Sequence, residues 1–300
     1  MQGAGRIWAH GFGVDTVVET TPGSGVGPSC LTADCCDQDR TVEWLQRIGY
    51  YRLSAYFIPF RIAGTDNFRA GTKIDQIIGL YKFDCSLRLL VLQALDRIEV
   101  GVRAIITYHL SHELGAFGYT DPANFNPLYD HAYLMRNLTQ EETRSTELFV
   151  RHYRTKYTSE PHLPIWLATE LLTFGVLSKM YGNLRTGVRK KIAREFGQPE
   201  SVFRSWLHSL AAIRNTCARH SRLWNRQLAV KPALPTAWAA SGIDNSRMYC
   251  MALIIQSLLD KISPDSRWKE RLKANFSAYP LVDQRAMHFP VDWQNQAPWA

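Results

Sequence analysis

The densest run of chemically capable side chains in the sequence is 213–226, where four arginines, two asparagines, one histidine and one tryptophan fall within fourteen positions. If a helix runs into it, Arg214 neighbours Cys217 and Ala218, and Asn215 shares a face with Arg219, because residues three and four apart are adjacent on a helix surface. His220 is reached just after. A fixed guanidinium and an imidazole meeting near one point suit RNA cleavage without a metal. That reaction needs a base for the 2′-hydroxyl, an acid for the leaving 5′-oxygen, and donors for the charge of the phosphorane. Histidine exchanges protons near neutral pH. Arginine offers phosphate oxygens a permanent planar fork, and one such donor can lower a barrier by ~3–4 kcal/mol. Asn215 could orient Arg214 or the histidine. The plainer reading is a helix end whose Arg-Asn pair caps carbonyls or forms surface ion pairs, followed by a solvated histidine. Residue types alone leave both readings open.

Other candidates are more diffuse. Arg47, Arg52 and Arg61 flank Tyr50, Tyr51, Tyr56 and Phe57, a mixture that can bind RNA by charge and stacking or simply pack a core. Arg185, Arg189, Lys190, Lys191 and Arg194 make a basic helical face for phosphates or for solvent. Glu99 and Glu170 sit inside apolar helices, where a carboxylate needs a partner. Glu99 and Arg103 are one turn apart and placed to pair, and a structural ion pair with an arginine of the 213–226 run is the expected role for these carboxylates. The histidines His109, His112, His131, His152, His162 and His208 show no metal-ligand spacing. No GxxxxGK[ST] phosphate loop occurs. Neither a metal nor another cofactor is expected.

The elements that must position the run are helical. Pro199 and Glu200 suit a first turn, and Phe203, Trp206, Leu207, Leu210, Ile213 and Cys217 then form one apolar face leading into it. Upstream, Trp44, Leu45, Ile48, Tyr51, Leu53 and Tyr56 make a stripe ending near Pro59. A long helix is expected over 74–114, interrupted near Asp84, with a bundle-core face of Leu87, Leu90, Val91, Ala94, Ile98, Val102 and Ile105. Residues 115–137 read as a connecting loop, and helices follow over 139–157, 165–181 and 186–196. Residues 222–227 suit a short helix or turn, and further helices cover 246–262 and 267–276. Strand alternation is nearly absent, which makes the chain all-α. Three parts emerge: an irregular leader over 1–40, a helical domain over 41–235, and a C-terminal helical extension with an irregular tail over 236–300.

Composition agrees with a packed protein that meets polyanions. Of the 300 residues 46% are hydrophobic and 21% charged, and the formal net charge is +8, which favours nucleic acid or an anionic surface as partner. There is no apolar run long enough for a membrane span, so no membrane association is expected. Six cysteines without a CxxC pair fit a reducing, cytoplasmic setting. Cys85, Cys217 and Cys250 read as small buried hydrophobes.

An ordered set of motifs resembles the Abi-like family, also called AbiD/AbiF. It comprises 48–56, then Tyr81, Phe83, Asp84, Leu87 and Arg88, then Ile98, Glu99, Val102 and Arg103. Next come Pro164, Ile165, Trp166, Glu170, Phe174, Gly175, Leu177 and Ser178, and last Arg214 and Asn215 through 221–226. The resemblance spans roughly 41–235. It implies a HEPN-like helical bundle with additional helices, and a phage-defence or toxin endoribonuclease. In such proteins an Arg, four to six residues, then His motif meets its copy across a homodimer, forming a metal-independent site. It also implies RNA as substrate and, in some relatives, a non-coding RNA as regulator. By this resemblance Arg214, Asn215, Arg219 and His220 stand at catalytic positions. Arg222, Asn225 and Arg226 would line the RNA path, with Arg52, Arg189 and Lys190 as further contacts, while Asn225 and Arg226 are equally suited to structural roles and Trp224 to a packing anchor.

One position departs from the family pattern Arg-Asn-x-Cys-Ala-His-His-Ser-Arg: Arg219 stands in place of the first histidine. An arginine does not release a proton near neutral pH. Either Arg219 is native and His220 transfers the proton, or Arg219 is a substitution that disables cleavage while keeping charge for RNA.

Overall fold

Apolar residues at three- and four-residue steps translate directly into helices, and the described residues form twelve α-helices and no strand. The structure is a computed structural model describing residues 35–300, with side chains from position 40. The helices are α1 (Cys35–Ile48), α2 (Tyr50–Ser54), α3 (Ile74–Leu114), α4 (His131–Arg144), α5 (Leu148–Lys156), α6 (Ile165–Leu171), α7 (Phe174–Asn183), α8 (Thr186–Glu195), α9 (Glu200–Ala218), α10 (Thr236–Ala239), α11 (Met248–Ile262) and α12 (Trp268–Ala278). Most of the expected leader lies outside the described residues, but 35–40 already belong to α1. No helix among the described residues is long and apolar enough to cross a membrane. Two compact units share the chain: 35–86 with 275–282, and 87–274 with 283–300.

In the first unit Leu53, Tyr56, Phe57, Ile77, Phe83 and Phe276 are buried. The stripe expected through Tyr56 holds at Leu53 and Tyr56 but fails at Tyr51, which is 75% exposed. Gly49, at φ 85, separates α1 from α2, and a break in helical rotation resets which side chains face inward. The interruption expected near Asp84 is absent, since α3 runs unbroken for 41 residues. Asp84 is fully buried and accepts a hydrogen bond from the Tyr56 hydroxyl at 2.6 Å, so it anchors α3 instead of ending it.

In the second unit the α3 residues Leu87, Val91, Ala94, Ile98, Val102 and Ile106 are buried. A Cβ at Gly101 would lie 2.5 Å from the Ile262 side chain, so α3 and α11 approach too closely there for any larger residue. Arg103 donates to Glu99 at 2.9 Å and to the Leu172 carbonyl at 3.0 Å, and lies 3.6 Å from Glu170. The Glu99–Arg103 pair is therefore formed, but the partner of Glu170 is this α3 arginine and not one from 213–226. The helix expected over 165–181 is two helices, because Thr173 caps α7 through the Val176 N–H. Likewise the loop expected to 137 ends at Asp130, whose carboxylate caps α4 through the Tyr133 N–H at 2.9 Å, and 145–147 divide α4 from α5. Cys217 and Cys250 are buried and Cys85 is half-buried, in keeping with packing roles.

The tail is better packed than an irregular segment suggests. Met287, Phe289, Trp293 and Trp299 are buried, and the Trp293 indole donates to Gln284 at 2.7 Å. Ahead of α11, Asp244 accepts from the Ser246 N–H at 2.8 Å and its hydroxyl at 2.7 Å, and these bonds hold its carboxyl below the ordinary 3.8.

Two outcomes are expected. Tyr56→Phe leaves the buried Asp84 carboxylate one donor short and should destabilise the protein by about 1–3 kcal/mol, read by chemical denaturation. For Asp244 the folded pKa is lowered, so its stabilisation is present above the unfolded value and lost as pH falls through the folded one. Thermal midpoints should drop on acidification between about pH 5 and pH 2, and more steeply in the parent than in Asp244→Asn.

Candidate nucleic-acid interface

The buried face of α9 is the one read from sequence: Phe203, Trp206, Leu207, Leu210, Ile213 and Cys217 are all buried. Phe203 stacks on Phe196 at 4.3 Å and meets Tyr181 edge-on at 5.2 Å. The Trp206 indole donates to the Ala233 carbonyl at 2.9 Å. Pro199 precedes the first turn, where Glu200 sits beside the positive end of the helix. With Ile213 and Cys217 turned inward, Arg214, Asn215, Ala218 and Arg219 are turned out to solvent.

The helix ends in a way that isolates His220. The His220 N–H donates to the Cys217 carbonyl at 2.9 Å, and the Ser221 N–H to the Thr216 carbonyl at 3.1 Å. This pair of bonds is the Schellman closure, which needs a left-handed residue between the helix and the departing chain, usually glycine. Here that residue is His220, at φ 55. Histidine enters this region more readily than most side chains, and Asn225, Arg267, His288 and Asp292 share the conformation among the described residues. His220 is thus not a further residue of the helix. It is exposed beside the last turn.

Arg214, Asn215, Arg219 and His220 are consequently all exposed within seven consecutive positions. The side chains of Arg214, Asn215 and Arg219 make no hydrogen bond or ion pair with another described residue. A cation at a helix C-terminus, here the C-cap Arg219, is favoured by the helix dipole, whereas an anion there is not, so any phosphate would have to be held by the guanidinium groups themselves. A cavity of about 30 Å³ beside α9, room for about one water, is lined by Ile213, Thr216, Leu223 and Arg226 among others and by none of Arg214, Asn215, Arg219 and His220. Among the described residues no group of three or more His, Cys, Asp or Glu side chains converges to hold a metal.

The segment after His220 is a turn and not a helix. Leu223 and Trp224 are buried, and the Trp224 indole donates to the Asp283 carbonyl at 3.3 Å, which makes Trp224 a packing anchor. Asn225 is left-handed, φ 50, and its side-chain oxygen accepts from Arg247 Nη1 at 3.1 Å. Arg222 and Arg226 are half-buried, and Arg226 reaches the Arg222 carbonyl at 3.4 Å.

The remaining expected contacts separate. Arg189 is used within the fold: it donates to the Gly182 carbonyl at 2.8 Å and to Thr186 at 3.1 Å, and lies 3.4 Å from Glu200. Its guanidinium thereby ties together the ends of three helices. Lys190 is exposed on α8. Arg52 is exposed on α2, in the other unit. Sequence reasoning missed Arg247 and Asp244 altogether. They lie in a polar, aperiodic stretch that carries no signal of a partner some twenty positions upstream.

An all-helical protein with an open, basic helix end is what these features define. The family model described as Abi-like protein matches residues 43–225, more than half of the chain, from within α1 to Asn225. The chain belongs to the Abi-like family, and that membership suggests a role in abortive infection. No curated protein and no solved structure matches the chain.

Glycine at position 220 would relieve the left-handed backbone. His220→Gly should leave the fold intact and raise stability by about 0.5–1 kcal/mol, whereas His220→Ala should gain nothing. Denaturation of the two variants beside the parent checks this.

Proposed function

We propose that this protein is a metal-independent HEPN-type endoribonuclease of phage defence, acting in the cytoplasm as a homodimer that brings two copies of 214–220 to one RNA strand. The observation that carries the reading is the exposure of Arg214, Asn215 and Arg219, whose side chains make no hydrogen bond or ion pair among the described residues, with His220 off the helix directly after them. Arg214 would grip the oxygens of the scissile phosphate as a bidentate donor, and Asn215 would orient that phosphate. Position 219 is where the family resemblance puts a proton-transferring histidine. Arg219 keeps the positive charge but not the proton exchange, so the chain as it stands binds RNA and has only His220 for acid–base work. A non-coding RNA on the same basic surface would serve as the restraint on a toxic activity.

RNA cleavage measured with a chelator present, for this chain beside Arg219→His, tests the reading. Arg219→His should cut at least about 100-fold faster, be indifferent to chelator, and lose that gain when Arg214→Ala is added. Equal cleavage by both forms assigns proton transfer to His220. Tight RNA binding by both without cleavage by either overturns the nuclease and leaves a non-catalytic RNA-binding component of a ribonucleoprotein.

A further inference from the structure

We infer that Arg247 is a positioning residue for the RNA-contacting turn 221–226, supplied by a part of the chain that lies beyond the family-matched residues. The inference rests on the RNA-binding reading of the preceding section.

The turn has a specific mechanical requirement. It leaves His220 at one left-handed residue and passes through a second at Asn225, φ 50. Asparagine tolerates that region better than most residues, yet such a conformation persists only where the surroundings over-determine it. Leu223 and Trp224 are fixed by burial and by the indole bond to Asp283. On the other side of Asn225, the Leu228 N–H donates to the Ser246 carbonyl at 2.8 Å. Between these two fixed points the turn is held at its left-handed residue by the 3.1 Å bond from Arg247 Nη1 to the Asn225 side-chain oxygen.

Arg247 is itself aimed. It immediately precedes α11, and its Nε lies 3.8 Å from Asp244 Oδ2. Two bonds from Ser246 fix the orientation of that carboxylate, and His288 Nδ1 lies 3.4 Å from the same oxygen. The Arg247 Nε is buried without a hydrogen bond, so the guanidinium is not placed for its own best solvation. Among the described residues the Arg247 side chain donates one hydrogen bond, to Asn225. Because Arg226 follows Asn225 directly, the bond from Arg247 bears on where Arg226 leaves the turn. Its loss should therefore weaken RNA binding while leaving proton transfer alone.

The probe is a fluorescein-labelled single-stranded RNA of mixed sequence, with Kd read by anisotropy at one salt concentration. Cleavage is followed in the Arg219→His background. Arg247→Met removes the donors and keeps the stem; it should raise Kd about ten-fold and raise KM with kcat nearly unchanged. Arg247→Lys, which keeps a charged donor, should recover part of the loss. Asn225→Gly removes the acceptor, fits the left-handed backbone, and carries the test should Arg247→Met fail to fold. The double variant should be no worse than either single, as expected of two residues acting through one contact. An unchanged Kd in Arg247→Met and Asn225→Gly, with Arg214→Ala still weakening RNA binding, overturns this inference and leaves the RNA reading standing. Independent, additive losses in the double variant also overturn it. If Arg214→Ala binds RNA like the parent, the reading itself falls and the inference with it.

Discussion

Burial of Ile213 and Cys217 fixes the rotation of the last turns of α9, and nearly everything at the candidate interface follows from that. A helix surface has no freedom to choose its exposed side once its apolar side is packed. Five upstream residues, from Phe203 to Ile213, are seated in a core of Phe196, Tyr181 and their neighbours. The outward direction of Arg214, Asn215, Ala218 and Arg219 is therefore set by packing contacts that none of the four makes. The same burial of Cys217 places its carbonyl to receive the His220 N–H, so the core that orients the helix also closes it.

The arginines divide by what desolvation demands of them. Arg103 and Arg189 are largely withdrawn from water, and each spends its guanidinium on carbonyls and carboxylates, as a buried cation must. Arginine suits this use because its fork serves two or three acceptors at once. Arg214 and Arg219 are exposed and have nothing of the kind to satisfy within the described residues. A count of positive residues, or the net charge of +8, treats these groups alike. Only their burial separates the cations that hold the fold together from those left in solvent.

That division explains what was legible in the sequence. The apolar face of α9 and the core of α3 could be read because each is a long periodic pattern in which burial and spacing agree. The chemically rich run was legible from density alone. What escaped reading depended on single polar contacts made at a distance. Asp84 looks like a helix breaker until Tyr56, 28 positions earlier, is seen to pay for its burial. Tyr51 was assigned to the core because the register reset at Gly49 leaves no mark in apolar spacing. Asp130 was hidden as a cap among neighbouring loop residues, and Arg189 was indistinguishable from the lysines beside it. No local pattern connects Arg247 to Asn225.

The geometry also bears on why position 219 can differ from the family pattern at no cost to the fold. Arg219 is the residue at which α9 gives way to the left-handed His220, and its backbone N–H already bonds to the Asn215 carbonyl. That bond, and the two that close the helix after it, are made by main-chain atoms and are indifferent to the side chain at 219. The side chain is exposed and makes no hydrogen bond or ion pair among the described residues. A change between guanidinium and imidazole therefore leaves the main-chain bonds of the helix end as they are. His220 is constrained differently: its backbone sits where glycine would be more comfortable. A side chain at 220 therefore carries a small backbone cost that one at 219 does not, so of the two adjacent residues only the second bears on the closure of the helix.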